Sequence, residues 1–266
     1  MIRLLKKSYA ALIYLFLYAP ILILLVFSFN ASKARGNWTG FTLKWYLELF
    51  QDRQIMKALY HTMVIAVLSS AIATVIGTAA AIGIHNMKKL KKKIVMNITY
   101  IPVVNPDIVT GLSLMLLFIF TKFRLGFVSL LLSHITFNLP YVILSVLPKL
   151  RQLDKNLYEA ALDLGATPFY AYRKVILPEI MPGVITGLLL AFTLSIDDFV
   201  ISFFTTGSGV STLSIIVYSM ARRGINPKIN ALSTLLFVAV LLLLFIVNLR
   251  TSGTSHEHKK RSEQKW

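Results

Sequence analysis

Residues 148–182 read PKLRQLDKNLYEAALDLGATPFYAYRKVILPEIMP, a polar and basic stretch set between two long apolar runs. At about 35 residues it is too long for a passive connection and should carry structure of its own. Asp154 can cap a helix over Lys155 to Leu164, in which Leu157, Ala160, Ala161 and Leu164 recur at helical spacing and make one apolar face. Gly165 is the natural end of that helix. Thr167 and Pro168 read as the N-cap and first-turn proline of a second helix, running to Val175 or Ile176 before Leu177-Pro178 stops it. The stretch therefore predicts two short amphipathic helices hinged at a glycine.

The flanking sequence says what they are attached to. A bilayer core of about 30 Å needs roughly 20 apolar residues per helix, and six runs qualify: 9–29, 58–84, 94–120, 127–147, 183–204 and 231–249. With 56% hydrophobic and only 15% charged residues, the composition lies well away from that of a water-soluble globule, which runs about 45 to 50% apolar and about 25% charged. The expectation is one all-α transmembrane domain over 1–250, a six-helix bundle, followed by a basic and disordered tail over 251–266. Without cysteine the chain has no disulfide framework, thiolate metal site or cysteine nucleophile.

The net charge of +17 would suggest nucleic acid in a soluble protein, but its placement matters more here. With the N-terminus in the cytoplasm, the inside segments hold three, five, five and five basic residues, which is 18 of the 28 Lys and Arg, and the outside loops hold 10. Both termini are expected inside. The first run is preceded by Arg3, Lys6 and Lys7 like a signal peptide, but it is too long and Phe27-Ser28-Phe29-Asn30 is no small-residue cleavage site, so it reads as a retained helix. The lysines between Lys88 and Lys93 read as a headgroup anchor rather than a nucleic-acid patch. His256-Glu257-His258, in the polar tail, is too sparse to read as a metal site.

Glu159-Ala160-Ala161, three residues, Gly165, nine residues and Val175-Ile176-Leu177-Pro178 together resemble the EAA loop of ABC importer permeases, with only Val175 departing from the usual isoleucine. The resemblance implies the fold of the type I (MetI-like) permeases. It also implies that the loop couples to a cytoplasmic ATPase through Glu159, Ala160, Ala161, Gly165, Leu177 and Pro178. No G-x-x-x-x-G-K-[ST] phosphate loop occurs in the chain. ATP and Mg are therefore expected on a partner ATPase, with no cofactor here and no enzymatic activity of the chain itself.

Three carboxylates fall inside the apolar runs: Asp107, Asp197 and Asp198. Each would cost about 2.5 to 3.5 kcal/mol against lipid on insertion scales, so each needs a partner or a polar pathway. At about 1.5 Å per residue, Asp107 and Asp197 reach roughly 20 Å from the cytoplasmic ends of their spans. Adjacent helical positions point about 100° apart, so in an unbroken helix one of Asp197 and Asp198 lines a pathway while the other bonds backbone or a facing helix. Phe199, Phe203 and Phe204 offer faces for a cation, though plain lipid or helix packing is the favoured account of them. Pro106 should kink the third span, which is tolerated where a helix lines a cavity. His134 is expected to make helix-to-helix hydrogen bonds.

Asn37-Trp38-Thr39-Gly40-Phe41-Thr42, Lys44-Trp45-Tyr46, Pro106-Asp107-Ile108-Val109, Ser133-His134-Ile135-Thr136-Phe137 and Ser195-Ile196-Asp197-Asp198, in this order, are similar to the spermidine/putrescine permeases of the PotC type. That resemblance implies a flexible polyamine substrate met by Asp107, Asp197, Asp198, Phe199 and Phe203. It further implies a second permease subunit (PotB-like), an ATPase dimer (PotA-like) and an extracytoplasmic binding protein (PotD-like). Another ABC substrate, such as ferric iron or a small organic ion, would use the same coupling loop. An ion-coupled secondary transporter is opposed by that loop and by the lack of a repeat relating two halves, and a membrane enzyme by the lack of a paired catalytic constellation.

Overall fold

The computed structural model describes residues 2–32, 37–154, 156–223, 227–238 and 241. Among them the chain is helical, with one isolated bridge between Asn30 and Phe41 and no strand. Four helices are long and apolar enough to cross a membrane, or five if a bent pair makes one span. Of the sixth expected run, 231–249, residues 231–238 and 241 are described and helical and the other ten lie outside the described residues, as does the whole tail 251–266.

The chain divides into two compact units, Met1–Ile55 with Val217–Trp266, and Met56–Ile216. In the first unit α1 (Ile2–Phe27) leads into a small cap built on Asn30. The Asn30 side chain accepts the Thr39 N–H at 3.0 Å and donates to the Asn37 carbonyl at 2.7 Å, while its own carbonyl accepts the Trp45 indole N–H at 2.7 Å. Trp45 and Leu49 of α2 (Lys44–Gln51) are buried beneath it. Lys228 lies 3.6 Å from Glu48 and 3.4 Å from Asp52, which ties the segment 227–238 to α2.

The second unit is built on α3 (Arg53–His85), α6 (Phe127–Gln152) and α9 (Leu177–Asp197). Its core gathers Ala73, Ala81, Val142, Val146, Ile180 and Ala191, all without exposed surface. Between helices in lipid there is little hydrophobic drive, so close packing must supply the attraction, and small residues permit it. Gly183 and Gly187, four apart on α9, face α6: a Cβ on Gly183 would stand 2.9 Å from the Ser145 carbonyl oxygen, and one on Gly187 3.2 Å from Val142 Cα. Gly77 of α3 meets Val142 from the other side.

Two spans depart from the sequence expectation. The third, expected as one kinked helix over 94–120, is α4 (Lys89–Val104) and α5 (Asp107–Phe120), bent by 107°. Pro106 forces Asn105 into extended backbone (φ −72°, ψ 143°) and has no N–H to continue the ladder, so the helix stops and restarts. The fifth was expected to begin at 183 after a stop at Leu177-Pro178. Instead helix runs from Pro168 to Asp197. Its parts are α8 (Pro168–Ala171), a π-turn over Tyr172–Ile176 and α9. A proline ring clashes with the carbonyl four residues earlier in a regular α-helix. The wider π-turn, closed by the Leu177 N–H on the Tyr172 carbonyl, places Pro178 in a new first turn. The same span then breaks at Asp198 (ψ 124°) before α10 (Val200–Thr205), where an unbroken helix to 204 was expected.

Candidate functional site

The loop at 148–182 holds the two helical segments its sequence asks for. Asp154 Oδ1 accepts the Asn156 N–H at 3.0 Å at the start of α7 (Asn156–Asp163). Gly165 sits at φ +84°, its N–H bonds the Leu162 carbonyl at 2.8 Å, and the Ala166 N–H bonds the Ala161 carbonyl at 3.1 Å. This is the Schellman ending, which glycine enters without Cβ strain. Thr167 caps α8 by accepting the Tyr170 N–H at 3.4 Å.

The expected apolar face of α7 is only partly correct. Leu157, Tyr158 and Ala161 turn toward the core, and the Tyr158 ring packs tilted by 40° against Tyr172 at 4.9 Å between ring centroids. Ala160 and Leu164 point outward. Leu164 is 89% exposed and Phe169 74% exposed, so the tip of the hairpin presents two large apolar side chains to its surroundings. Glu159 is exposed on α7, Leu177 is half-buried, and Pro178 is exposed at the start of α9.

The three carboxylates have different environments. Asp198 is turned inward, its side chain 7% exposed. Its two oxygens accept the Ile201 N–H at 3.1 Å and the Ser202 N–H at 2.7 Å, capping α10, and its carbonyl accepts the Ser214 hydroxyl at 2.6 Å. Asp197 is the last residue of α9 and is exposed. Asp107 is exposed in the first turn of α5. There a carboxylate meets the positive end of the helix dipole. It also lies within electrostatic reach of Tyr141. The 20 Å depth expected for Asp107 assumed a straight helix, and the 107° bend removes that basis. Gly111, four residues on, packs against Ile201 and Phe204, so α5 and α10 are held together. Phe199 is half-buried and Phe203 is 51% exposed, their centroids 5.4 Å apart, while Phe203 meets Phe204 edge-on at 5.5 Å.

Sequence spacing could not reveal the polar chain behind these groups. His134, 1% exposed on α6, has Nδ1 2.6 Å from Ser195 Oγ and Nε2 3.0 Å from Ser202 Oγ. Ser195 Oγ is 3.1 Å from Ser69 Oγ, which accepts the Asn138 amide at 3.4 Å. The expected helix-to-helix role of His134 is what these distances describe. Its partners come from α9 and α10, more than 60 residues away, beyond the reach of local spacing.

An all-helical bundle with a folded glycine-hinged arm and carboxylates on an apolar surface defines a membrane permease. The chain belongs to the family of binding-protein-dependent transport system inner membrane components, which matches residues 73–252. It is 41% identical over 261 residues to the spermidine/putrescine transport system permease protein PotC of Escherichia coli (strain K12), covering 97% of this chain and 99% of that one. It is also 42% identical over 239 residues to the putrescine transport system permease protein PotI of the same organism, covering 87% and 85%. In backbone it resembles a solved bacterial ABC transporter involved in import of the acidic polysaccharide alginate (TM-score 0.70, 18% identity, 94% of each chain). The inward-facing MetNI methionine ABC transporter is similar over 74% of this chain and 94% of that one (TM-score 0.60, 20% identity). These two likenesses establish the type I importer permease fold.

Proposed function

We propose that this chain is the permease subunit of a polyamine importer, forming half of the translocation pathway and driven by ATP hydrolysed on separate ATPase subunits. The observation that carries the reading is the exposure of two carboxylates, Asp107 and Asp197, on an otherwise apolar bundle, in a chain about two-fifths identical to permeases named for spermidine and putrescine. Facing lipid, each would be costly. Facing a pathway that carries ammonium groups, each would be matched by its substrate. Phe203, exposed six residues after Asp197, adds an aromatic face, with Phe199 packed against it. Asp198 is assigned a different task, capping α10.

In this reading both termini are cytoplasmic, and the α7–α8 hairpin enters a cleft on the ATPase with Glu159 at a polar contact and Gly165 at the turn. The remaining partners are a second permease, an ATPase dimer binding ATP and Mg, and an extracytoplasmic binding protein. ATP-driven closure of the ATPases moves the hairpins, and the bundle opens outward to receive substrate from that protein.

The test is uptake of labelled spermidine and putrescine by the reconstituted importer. Losing one charge-assisted contact costs roughly 1.5 to 3 kcal/mol, or about tenfold to hundredfold. Asp107→Asn and Asp197→Asn should each lower uptake on that scale while the complex still assembles. Normal uptake in both variants would remove the carboxylates from the pathway. Transport of a different cargo, such as ferric iron, with no polyamine uptake, would overturn the substrate.

A further inference from the structure

The break between α9 and α10 is held from one point. Ser195 lies before it and Ser202 after it, and His134 of α6 reaches both, with Asp198 Oδ2 3.5 Å from the same Nε2. The carboxylate beside Nε2 favours one sense for these bonds: a proton on Nε2 points toward Ser202 and Asp198, and Nδ1 is then left to accept the Ser195 hydroxyl. Ser195 then accepts from Ser69, and Ser69 from Asn138. Three helices, α3, α6 and α9, are thereby registered on the imidazole, and α10 is added through Ser202.

An apolar side chain at 134 would fill the same space without any need for buried partners. Hydrogen-bonded polar groups in such a core bring directional constraint rather than net stability. What they constrain is the end of α9, whose last residue is the exposed Asp197. We propose that His134 is a positioning residue for transport: by fixing Ser195 and Ser202 across the break, it holds Asp197 outward, where a cationic substrate meets it, and Asp198 inward as the cap of α10. This rests on the pathway reading of Asp197.

A double-variant cycle in the reconstituted importer tests it, with labelled spermidine uptake measured at saturating loaded binding protein. His134→Ala should assemble normally and lose uptake by about tenfold or more, since misplacing a contacting group by about an ångström has effects of that size. Combined with Asp197→Asn it should add no further loss, because both variants remove the same contact. His134→Gln, which keeps an N–H near the Nε2 position, should recover part of the rate. If His134→Ala does not assemble, Ser202→Ala, which deletes one bond of the clamp, takes its place in the cycle. Unchanged uptake, or losses that multiply in the double variant, would overturn the positioning role alone. Normal uptake by Asp197→Asn would overturn the pathway reading of Asp197 and this inference with it.

Discussion

Gly187 and Gly165 show two different reasons for having no side chain. At Gly187 the backbone of Val142 is so near that an added Cβ would lie 3.2 Å from its Cα, and backbone cannot rotate away. Gly187→Leu should therefore push α9 off α6, at a cost of about 1 to 3 kcal/mol for overpacking, seen as a lower thermal midpoint and less assembled complex. At Gly165 no atom lies within 4 Å of the Cβ position, so space is free, but φ is +84°. Gly165→Ala should cost about 1 to 2 kcal/mol in backbone strain alone, loosening the hairpin without disturbing the bundle. Protease protection of the hairpin, compared with the thermal midpoint of the whole complex, separates the two effects. A Gly165→Ala variant with unaltered protection would show that the turn relaxes without strain.

At the scale of elements, the unit to which the proposed function assigns coupling is the arm formed by α7, α8, the π-turn and α9. Helix continues through Pro178 and α9 ends at Asp197, so in the proposed mechanism a displacement of the hairpin would be delivered to α9 directly. A loop ending at Leu177-Pro178 would have lost that motion in a flexible joint. The tip offers Leu164 and Phe169, both exposed, as the apolar side chains an ATPase cleft would cover under that proposal. Burying one such side chain in a partner's cleft contributes about 1.5 to 3 kcal/mol. Leu164→Ser and Phe169→Ser should each weaken retention of the ATPase subunits on the purified permease by about tenfold or more, with insertion unchanged. Glu159→Lys, which reverses a charge at the same hairpin, should lower ATP-driven uptake. Full retention and full uptake in all three would exclude the hairpin as the docking element.

For the whole molecule, the distribution of charge sets orientation and the distribution of burial sets surroundings. None of the residues from Lys6 to Phe27 in α1 is buried within this chain, and its run carries Leu12, Leu15, Phe16, Leu22 and Ile23 outward. Such a surface is stable only in lipid or against another membrane subunit. The 18 to 10 division of basic residues predicts that a reporter fused after Trp266 reports from the cytoplasm, as does one inserted after Gly165. An extracytoplasmic signal at either position would invert the topology and separate the hairpin from any cytoplasmic ATPase.

Features written in local chemistry were legible in the sequence: the apolar character of the long helices, the Asp154 and Thr167 caps, the glycine turn at Gly165 and a distortion at Pro106, although as a kink and not as the full 107° break. Each depends on residues within a turn or two of one another, so spacing suffices. The outward face of Leu164 was not legible, because helical periodicity says which residues share a face and not which face the bundle covers. Nor was the passage of helix through Pro178, where a π-turn absorbs the clash that a local rule reads as a stop. The three aspartates look alike in sequence. Only the fold distinguishes them: Asp198 turns inward to cap α10 through the Ile201 and Ser202 N–H groups, three and four residues on, while Asp107 and Asp197 lie on the surface, and the break that separates Asp197 from Asp198 is spanned by His134, whose partners Ser195 and Ser202 lie more than 60 positions from it in sequence.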